Sequence, residues 1–100
     1  MIPTATPHPY SDLRSADPHS STFTRTFASD AKLAELVWHR DRRTRQVTVL
    51  EGRGWHLQFD DALPVPLVVG RTYTVPRMLF HRVLREADCS VLVVQIEEVG

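Results

Sequence analysis

The chain has 100 residues, of which 42% are hydrophobic and 24% charged, and its formal net charge is zero. This length suffices for one domain with one hydrophobic core but not for two. A single cysteine, Cys89, excludes an internal disulfide. No apolar run approaches the roughly 20 residues of a membrane helix, and the N-terminus lacks the basic and apolar regions of a signal peptide. These features predict a cytoplasmic protein without a membrane partner.

Residues 1–21 are predicted to form a flexible arm. They hold four of the seven prolines, many Ser and Thr, and few large apolar side chains. Such a segment cannot bury enough surface to offset the entropy lost on ordering. We expect residues 22–100 to form the single folded domain, beginning with a short edge strand over Phe23–Phe27, where apolar and polar residues alternate.

From Gln46 onward the pattern indicates short strands separated by turns. The two glycines of Glu51–Gly54 permit a tight turn, and two prolines confine residues 63–67 to an edge or connecting segment. Alternating and β-branched residues predict strands over residues 46–50, 55–59, 72–75, 80–84 and 91–96. Several short strands with no long helix between them predict an all-β sandwich or barrel.

Residues 39–54 resemble the first motif of the cupin family. That motif consists of a His-x-His pair, a Glu, and a strand that ends in a glycine turn. Val49–Gly54 looks like the family's strand and turn. In that register Arg45 stands at the position of the motif's Glu, and His39 and Asp41 stand at its His-x-His pair.

A later segment resembles the second cupin motif. Gly70, Pro76 and His81 match it in register, whereas Met78 and Arg85 stand where the motif has Gly and Asn. The resemblance covers about three-fifths of the chain. It implies a cupin-type double-stranded β-helix, a jelly-roll barrel over residues 37–96, with the flexible arm in front of it.

The cupin resemblance also implies that motif residues point into the barrel and hold one divalent transition metal, Fe, Mn, Ni, Zn or Cu. Carried over residue by residue, it gives His39, Asp41 and His81 as the ligands, a set that leaves coordination positions open for substrate. Arg45 opposes this assignment, because a positive charge about 5 Å from a divalent ion costs roughly 6–7 kcal/mol at an effective dielectric constant of about 20. Alternatively, Arg45 pairs with Asp41 or faces an anionic substrate.

Four residues are candidates for contacts to a small molecule in the pocket: Arg45, His56, Gln58 and Tyr73. His56 and Gln58 share one face of the strand over residues 55–59, and its large apolar side chains share the other. A register shift of one residue would exchange the two faces, so His56 is either a pocket residue or a surface residue. Tyr73 is either a pocket phenol or a strand residue with its hydroxyl in water.

Three classes of function are compatible with these residues. The first is a small cupin that binds a small molecule in its pocket, with or without a metal; oxidation, isomerisation, decarboxylation and ligand sensing all fit. The second is a metal-free, non-catalytic cupin that serves as a structural or interaction module. The third, a nucleic-acid binder, is least favoured, because the Arg-rich stretch over residues 40–45 has no interleaved aromatic residues.

The distribution of charge and the open strand edges bear on partners. Basic residues concentrate in residues 39–85 and acidic ones in the tail from Glu86, which fits either an anionic partner or mutual neutralisation of the two ends of the fold. An open barrel of this size also leaves strand edges exposed. We therefore expect a homodimer, in which Phe23–Phe27 pairs with or swaps into the partner.

Overall fold

The computed structural model describes residues 10–33 and 36–99, and the regular elements of this part of the chain are β-strands. Their bounds in chain order are β1 (Tyr10–Arg14), β2 (Thr22–Phe27), β3 (Thr44–Glu51), β4 (Trp55–Phe59), β5 (Val65–Pro66), β6 (Thr72–Val75), β7 (His81–Arg85) and β8 (Leu92–Val99). Within these described residues, no helix has the length and apolar character needed to cross a membrane.

The strands form two antiparallel sheets. One sheet has the order β1-β2-β8-β3-β6 and the other has the order β5-β4-β7. The C-terminal strand β8 lies at the centre of the larger sheet, between β2 and β3. The two sheets enclose one apolar core, so the predicted all-β, jelly-roll β-barrel is confirmed.

Sequence alternation sets the inner face of the larger sheet. Along β2, Phe23, Arg25 and Phe27 are buried, while the threonines between them face outward. The pairing of β2 with β8 places these residues opposite the buried positions of β8, which are Ile96, Val94 and Leu92. Period-two alternation on both strands therefore builds one continuous inward surface.

The turn between β3 and β4 confirms the role predicted for its glycines. Gly52 and Gly54 have φ angles of 144° and 82°, values that residues with a side chain rarely adopt. A Cβ atom added to Gly54 would lie 3.0 Å from Cβ of Cys89. Both the backbone angle and the close approach of Cys89 therefore require glycine here.

The N-terminal segment differs from its prediction. Residues 1–9 of the expected flexible arm lie outside the described residues, but Tyr10–Arg14 forms β1 and pairs along its length with β2. The reason is local: the side chain of Asp12 binds Arg25, and the ring of Tyr10 packs on Phe27 at 5.4 Å between centroids. The expected edge strand over Phe23–Phe27 is consequently internal, because β1 covers one side of it and β8 the other.

Candidate metal centre

Two chain segments, one just before β3 and one at the start of β7, bring His39, Asp41 and His81 together. The backbone N–H of His39 donates to the carbonyl of His81 (2.9 Å), and the N–H of His81 donates to the carbonyl of His39 (2.8 Å). The turn before β7 is attached to the same place, since the N–H of Met78 donates to the carbonyl of Asp41 (2.7 Å). One ligand atom of each of the three side chains lies within 4.8 Å of the other two.

Backbone carbonyls orient both imidazole rings. Nδ1 of His39 lies 3.0 Å from the carbonyl oxygen of Val37, and Nδ1 of His81 lies 2.9 Å from that of Leu79. A carbonyl oxygen accepts hydrogen bonds but cannot donate them, so each Nδ1 carries a proton. In the neutral ring Nε2 then presents its lone pair, which is the usual arrangement in metal-binding histidines.

The protonation state of His39 suits a ligand. This side chain is still accessible to solvent, whereas His81 is 5% exposed. Partial burial lowers the pKa of His39 below its ordinary value of 6.5, and the neighbouring His81 acts in the same direction. The ring is therefore neutral at physiological pH, as coordination requires.

The carboxylate of Asp41 has one oxygen without a hydrogen-bond partner. Its Oδ1 lies 3.4 Å from a guanidinium nitrogen of Arg45, and its Oδ2 lies 3.3 Å from Nε2 of His81. Among the described residues, Oδ2 of Asp41 is the one buried side-chain polar atom that makes no hydrogen bond, because the contact with His81 lacks the required geometry. Leaving such an atom unpaired costs about 1–3 kcal/mol or more for a charged group.

A cation between Asp41 and His81 would remove this cost. Burial by itself would raise the pKa of Asp41, but the contact with His81 and the charge of Arg45 outweigh it and hold the pKa below its ordinary value. The carboxylate is therefore ionised, and its Oδ2 faces Nε2 of His81 at 3.3 Å. Either a proton on Nε2 or a metal ion satisfies both atoms, so the donor set fits a divalent metal.

The charge of Arg45 is compensated by a residue that the sequence reasoning missed. Arg45 also contacts Oε2 of Glu98, at 3.2 Å from Nη2 and 3.4 Å from Nε. The pairing of β3 with β8 sets these two residues directly opposite each other. The excess of basic residues in the middle of the chain and of acidic ones in its tail pointed to such neutralisation, without identifying the pair.

A cavity of about 350 Å³ lies between the two sheets next to this group. Its walls are mainly aliphatic and aromatic side chains from both sheets, and its polar side includes Arg25, His39, Arg45 and His81. Of the residues predicted to contact a small molecule, Arg45 is part of this wall.

His56, Gln58 and Tyr73 do not line the cavity. On β4 the buried Trp55 and Leu57 face the interior, so His56 and Gln58 face the other way. Gln58 accepts a hydrogen bond from Arg82 and donates one to the carbonyl of Ala62. The Tyr73 hydroxyl is occupied as well.

The Tyr73 hydroxyl makes two hydrogen bonds with the backbone at the end of β5 and just after it. It donates to the carbonyl of Pro66 (2.8 Å) and accepts from the N–H of Val68 (2.8 Å). Tyr73 thus holds the chain between β5 and β6 in place.

Arg25 is a cavity residue that the sequence reasoning also missed. It is 9% exposed and binds both carboxylate oxygens of Asp12, at 2.8 and 3.0 Å. Its guanidinium carbon lies 3.7 Å from the centroid of the Tyr10 ring. The signal was present, because Arg25 occupies the same face of an alternating strand as Phe23 and Phe27.

The arginines of residues 40–45 do not all share one face. Arg45 points into the cavity, while the guanidinium of Arg40 stacks over the ring of Phe80 at 5.0 Å. This arrangement favours local packing and ion pairing over recognition of a nucleic-acid backbone.

Two of the solved structures that resemble this chain are cupin domains. No family model and no curated protein matches the sequence. A cupin domain from Bordetella pertussis, 19% identical, superimposes with a TM-score of 0.65 over 96% of this chain and all of that one. A cupin-2 domain protein from Shewanella frigidimarina gives 0.62 at 18% identity, over 92% of this chain and 81% of that one.

A third similar structure, from Neisseria meningitidis, gives a TM-score of 0.58 at 17% identity over 90% of this chain and 82% of that one. At these identities the similarity shows the fold alone. The protein has the cupin fold.

Proposed function

We propose that this cupin-fold protein holds one divalent transition metal ion with His39, Asp41 and His81, and that a small molecule binds next to the ion in the interior cavity. The observation that carries the proposal is the buried, unpaired Oδ2 of Asp41, which faces Nε2 of His81 at 3.3 Å. Two imidazoles and one carboxylate suit Fe, Mn, Ni, Zn or Cu. Bound there, the metal would supply a Lewis acid with open coordination positions.

The surrounding residues prepare this donor set. Carbonyls of Val37 and Leu79 hold the imidazole rings so that both Nε2 atoms are free to coordinate. Arg45 takes Oδ1 of Asp41 and so directs Oδ2 toward His81. Glu98 offsets the repulsion between Arg45 and a cation.

Metal analysis tests the proposal directly. Protein purified without chelator, or reconstituted with Co²⁺ or Zn²⁺, should hold one equivalent of metal. His81→Ala should lose it, whereas His56→Ala, a histidine outside the cavity, should keep it. Metal that stays in His81→Ala or leaves with His56→Ala would contradict the site.

The alternative is a metal-free cupin that acts as a structural or interaction module. The contacts of Arg45 with Asp41 and Glu98 favour it, because they give the Asp41 carboxylate a positive partner without a metal ion. No metal in the native protein, together with metal uptake by Arg45→Glu, would show a cupin site that has lost its ion.

We also propose a homodimer. Exposed apolar side chains lie on and beside the short edge strand β5. The exposed fractions are 84% for Leu63, 40% for Val65 and 54% for Val69. Covering them with a second copy would bury apolar surface and a strand edge together. Light scattering that gives the mass of one chain would remove this proposal.

A further inference from the structure

The charged side chains around the cavity include no surplus anion to offset a bound metal ion. Three guanidinium groups, Arg14, Arg25 and Arg45, lie near three carboxylates, Asp12, Asp41 and Glu98. Apart from the imidazoles the charges of this cluster balance, and a divalent ion held by Asp41 and the histidines would leave an excess of positive charge beside the cavity. In a low-dielectric interior an uncompensated charge is costly.

We infer that, with the metal of the proposed function in place, the cavity selects a small organic anion with an apolar body, such as an aromatic or branched aliphatic carboxylate. A negative charge on the bound molecule would reduce this excess of positive charge. The remaining walls, which include Val47, Leu57 and Val83, offer contacts to an apolar body.

Arg45 is the residue that fits the anionic head. Its contacts with Asp41 and Glu98 measure 3.2–3.4 Å, longer than the roughly 2.7–2.9 Å of a strong charge-assisted hydrogen bond. Arg25, in contrast, is held by both oxygens of Asp12 at 2.8 and 3.0 Å. A carboxylate that enters the cavity therefore meets a weakly engaged guanidinium at Arg45, on the same side as the metal ligands.

The cavity volume limits the size of the molecule. About 350 Å³ corresponds to roughly a dozen water molecules at about 30 Å³ each. Phenylacetate and its neutral isostere phenylacetamide are in this range and differ in charge but hardly in shape. They form a matched pair of probes.

The experiment has two stages. The protein is first titrated with Co²⁺, and uptake is followed in the visible spectrum. Phenylacetate and phenylacetamide are then titrated by calorimetry into the cobalt-loaded and the metal-free protein. We expect phenylacetate to bind the loaded protein at least tenfold more tightly than phenylacetamide does, and at least tenfold more tightly than it binds the metal-free protein.

Two charge variants test the role of the cluster. Glu98→Gln should tighten phenylacetate binding at least threefold and leave phenylacetamide unchanged, because it removes a competing negative charge from Arg45. Glu97→Gln removes the same charge from the outer face of β8 and should change neither affinity. Arg45→Gln should weaken phenylacetate selectively.

The outcomes separate the two proposals. A protein that takes up no cobalt refutes the metal site and the inference with it. A protein that takes up cobalt but binds the acid and the amide equally, or binds the acid equally well without metal, refutes the inference alone. Should Arg45→Gln fail to fold, the native protein and Glu98→Gln still decide the question.

Discussion

Two arginines of the cavity wall, Arg25 and Arg45, each pair with an aspartate, and the two pairs differ in geometry. Arg25 binds Asp12 through two short parallel contacts of 2.8 and 3.0 Å, so both carboxylate oxygens are engaged. Arg45 reaches one oxygen of Asp41 at 3.4 Å, and the other oxygen is left facing His81. We call the first the closed pair and the second, in which Oδ2 of Asp41 has no hydrogen bond, the open pair.

The difference comes from where the backbone places each aspartate. Asp12 lies directly across the strand pair from Arg25, in register on β1 and β2, and this geometry allows a two-pronged contact. Asp41 lies before β3, four residues ahead of Arg45, and is fixed by the N–H of Met78. The same two residue types thus form one ion pair with both carboxylate oxygens engaged and one that leaves a carboxylate oxygen without a hydrogen bond.

The largest expected effect is the loss of metal on neutralising the open pair. Asp41→Asn removes the charged ligand but keeps its shape, and we expect the Co²⁺ affinity to fall at least about a hundredfold, since even indirect partners of metal ligands contribute 10- to 100-fold. Titration of cobalt in the visible spectrum measures this. Asp12→Asn is the matched comparison and should lose much less affinity, because Asp12 is bound to Arg25 and is not one of the three ligands; equal losses in both variants would break the distinction between the pairs.

For the free energy of unfolding we expect the opposite ranking, with the larger loss in Asp12→Asn and the smaller in Asp41→Asn. Asp12→Asn leaves the buried guanidinium of Arg25 without its charged partner, and we expect the free energy of unfolding to drop by about 2 kcal/mol. Asp41→Asn should cost less than about 1 kcal/mol in the metal-free protein, because Arg45 keeps Glu98. Urea unfolding of both variants without metal gives the comparison, and a larger loss in Asp41→Asn would contradict it.

The contribution of the closed pair should vanish in acid. Burial alone would raise the pKa of Asp12, but the hydrogen bond and charge of Arg25 outweigh it and hold the pKa below its ordinary value of 3.8. A lowered folded-state pKa stabilises the fold above the ordinary value, and this stabilisation is lost as the pH falls through the folded-state value. The difference in unfolding free energy between the native protein and Asp12→Asn should therefore be full at neutral pH and shrink below pH 3.8. A difference that grows in acid would oppose this assignment.

Much of the barrel follows from local pattern. The strands Trp55–Phe59 and Thr72–Val75 occur where alternation predicts them, because one face of each must be apolar. The strand Tyr10–Arg14 was missed because its composition is that of a loop. Its order comes from partners distant in sequence, Phe27 for Tyr10 and Arg25 for Asp12.

The candidate site also contains residues that local sequence points to and one that it does not. The motif spacing identified His39, Asp41 and His81, and the structure places them together. Glu98 could not be identified from local sequence, because its role depends on the register of β8 against β3. The face of His56 was open for the same reason, since a one-residue shift in strand register would exchange the two faces.

The smallest predicted effect concerns Met78, a residue whose backbone conformation is strained. Met78 stands where the cupin motif has glycine, and its φ angle is 64°, a left-handed value that costs a residue with a side chain about 1–2 kcal/mol. Its N–H is the donor that fixes Asp41, the aspartate of the open pair. Met78→Gly should relieve the strain and, after the extra flexibility of unfolded glycine, raise the unfolding free energy by about 0.5–1 kcal/mol. Cobalt affinity should stay unchanged because the N–H is retained. A loss of stability on urea unfolding would mean that the Met78 side chain, which is 48% exposed, contributes more by packing than its backbone costs.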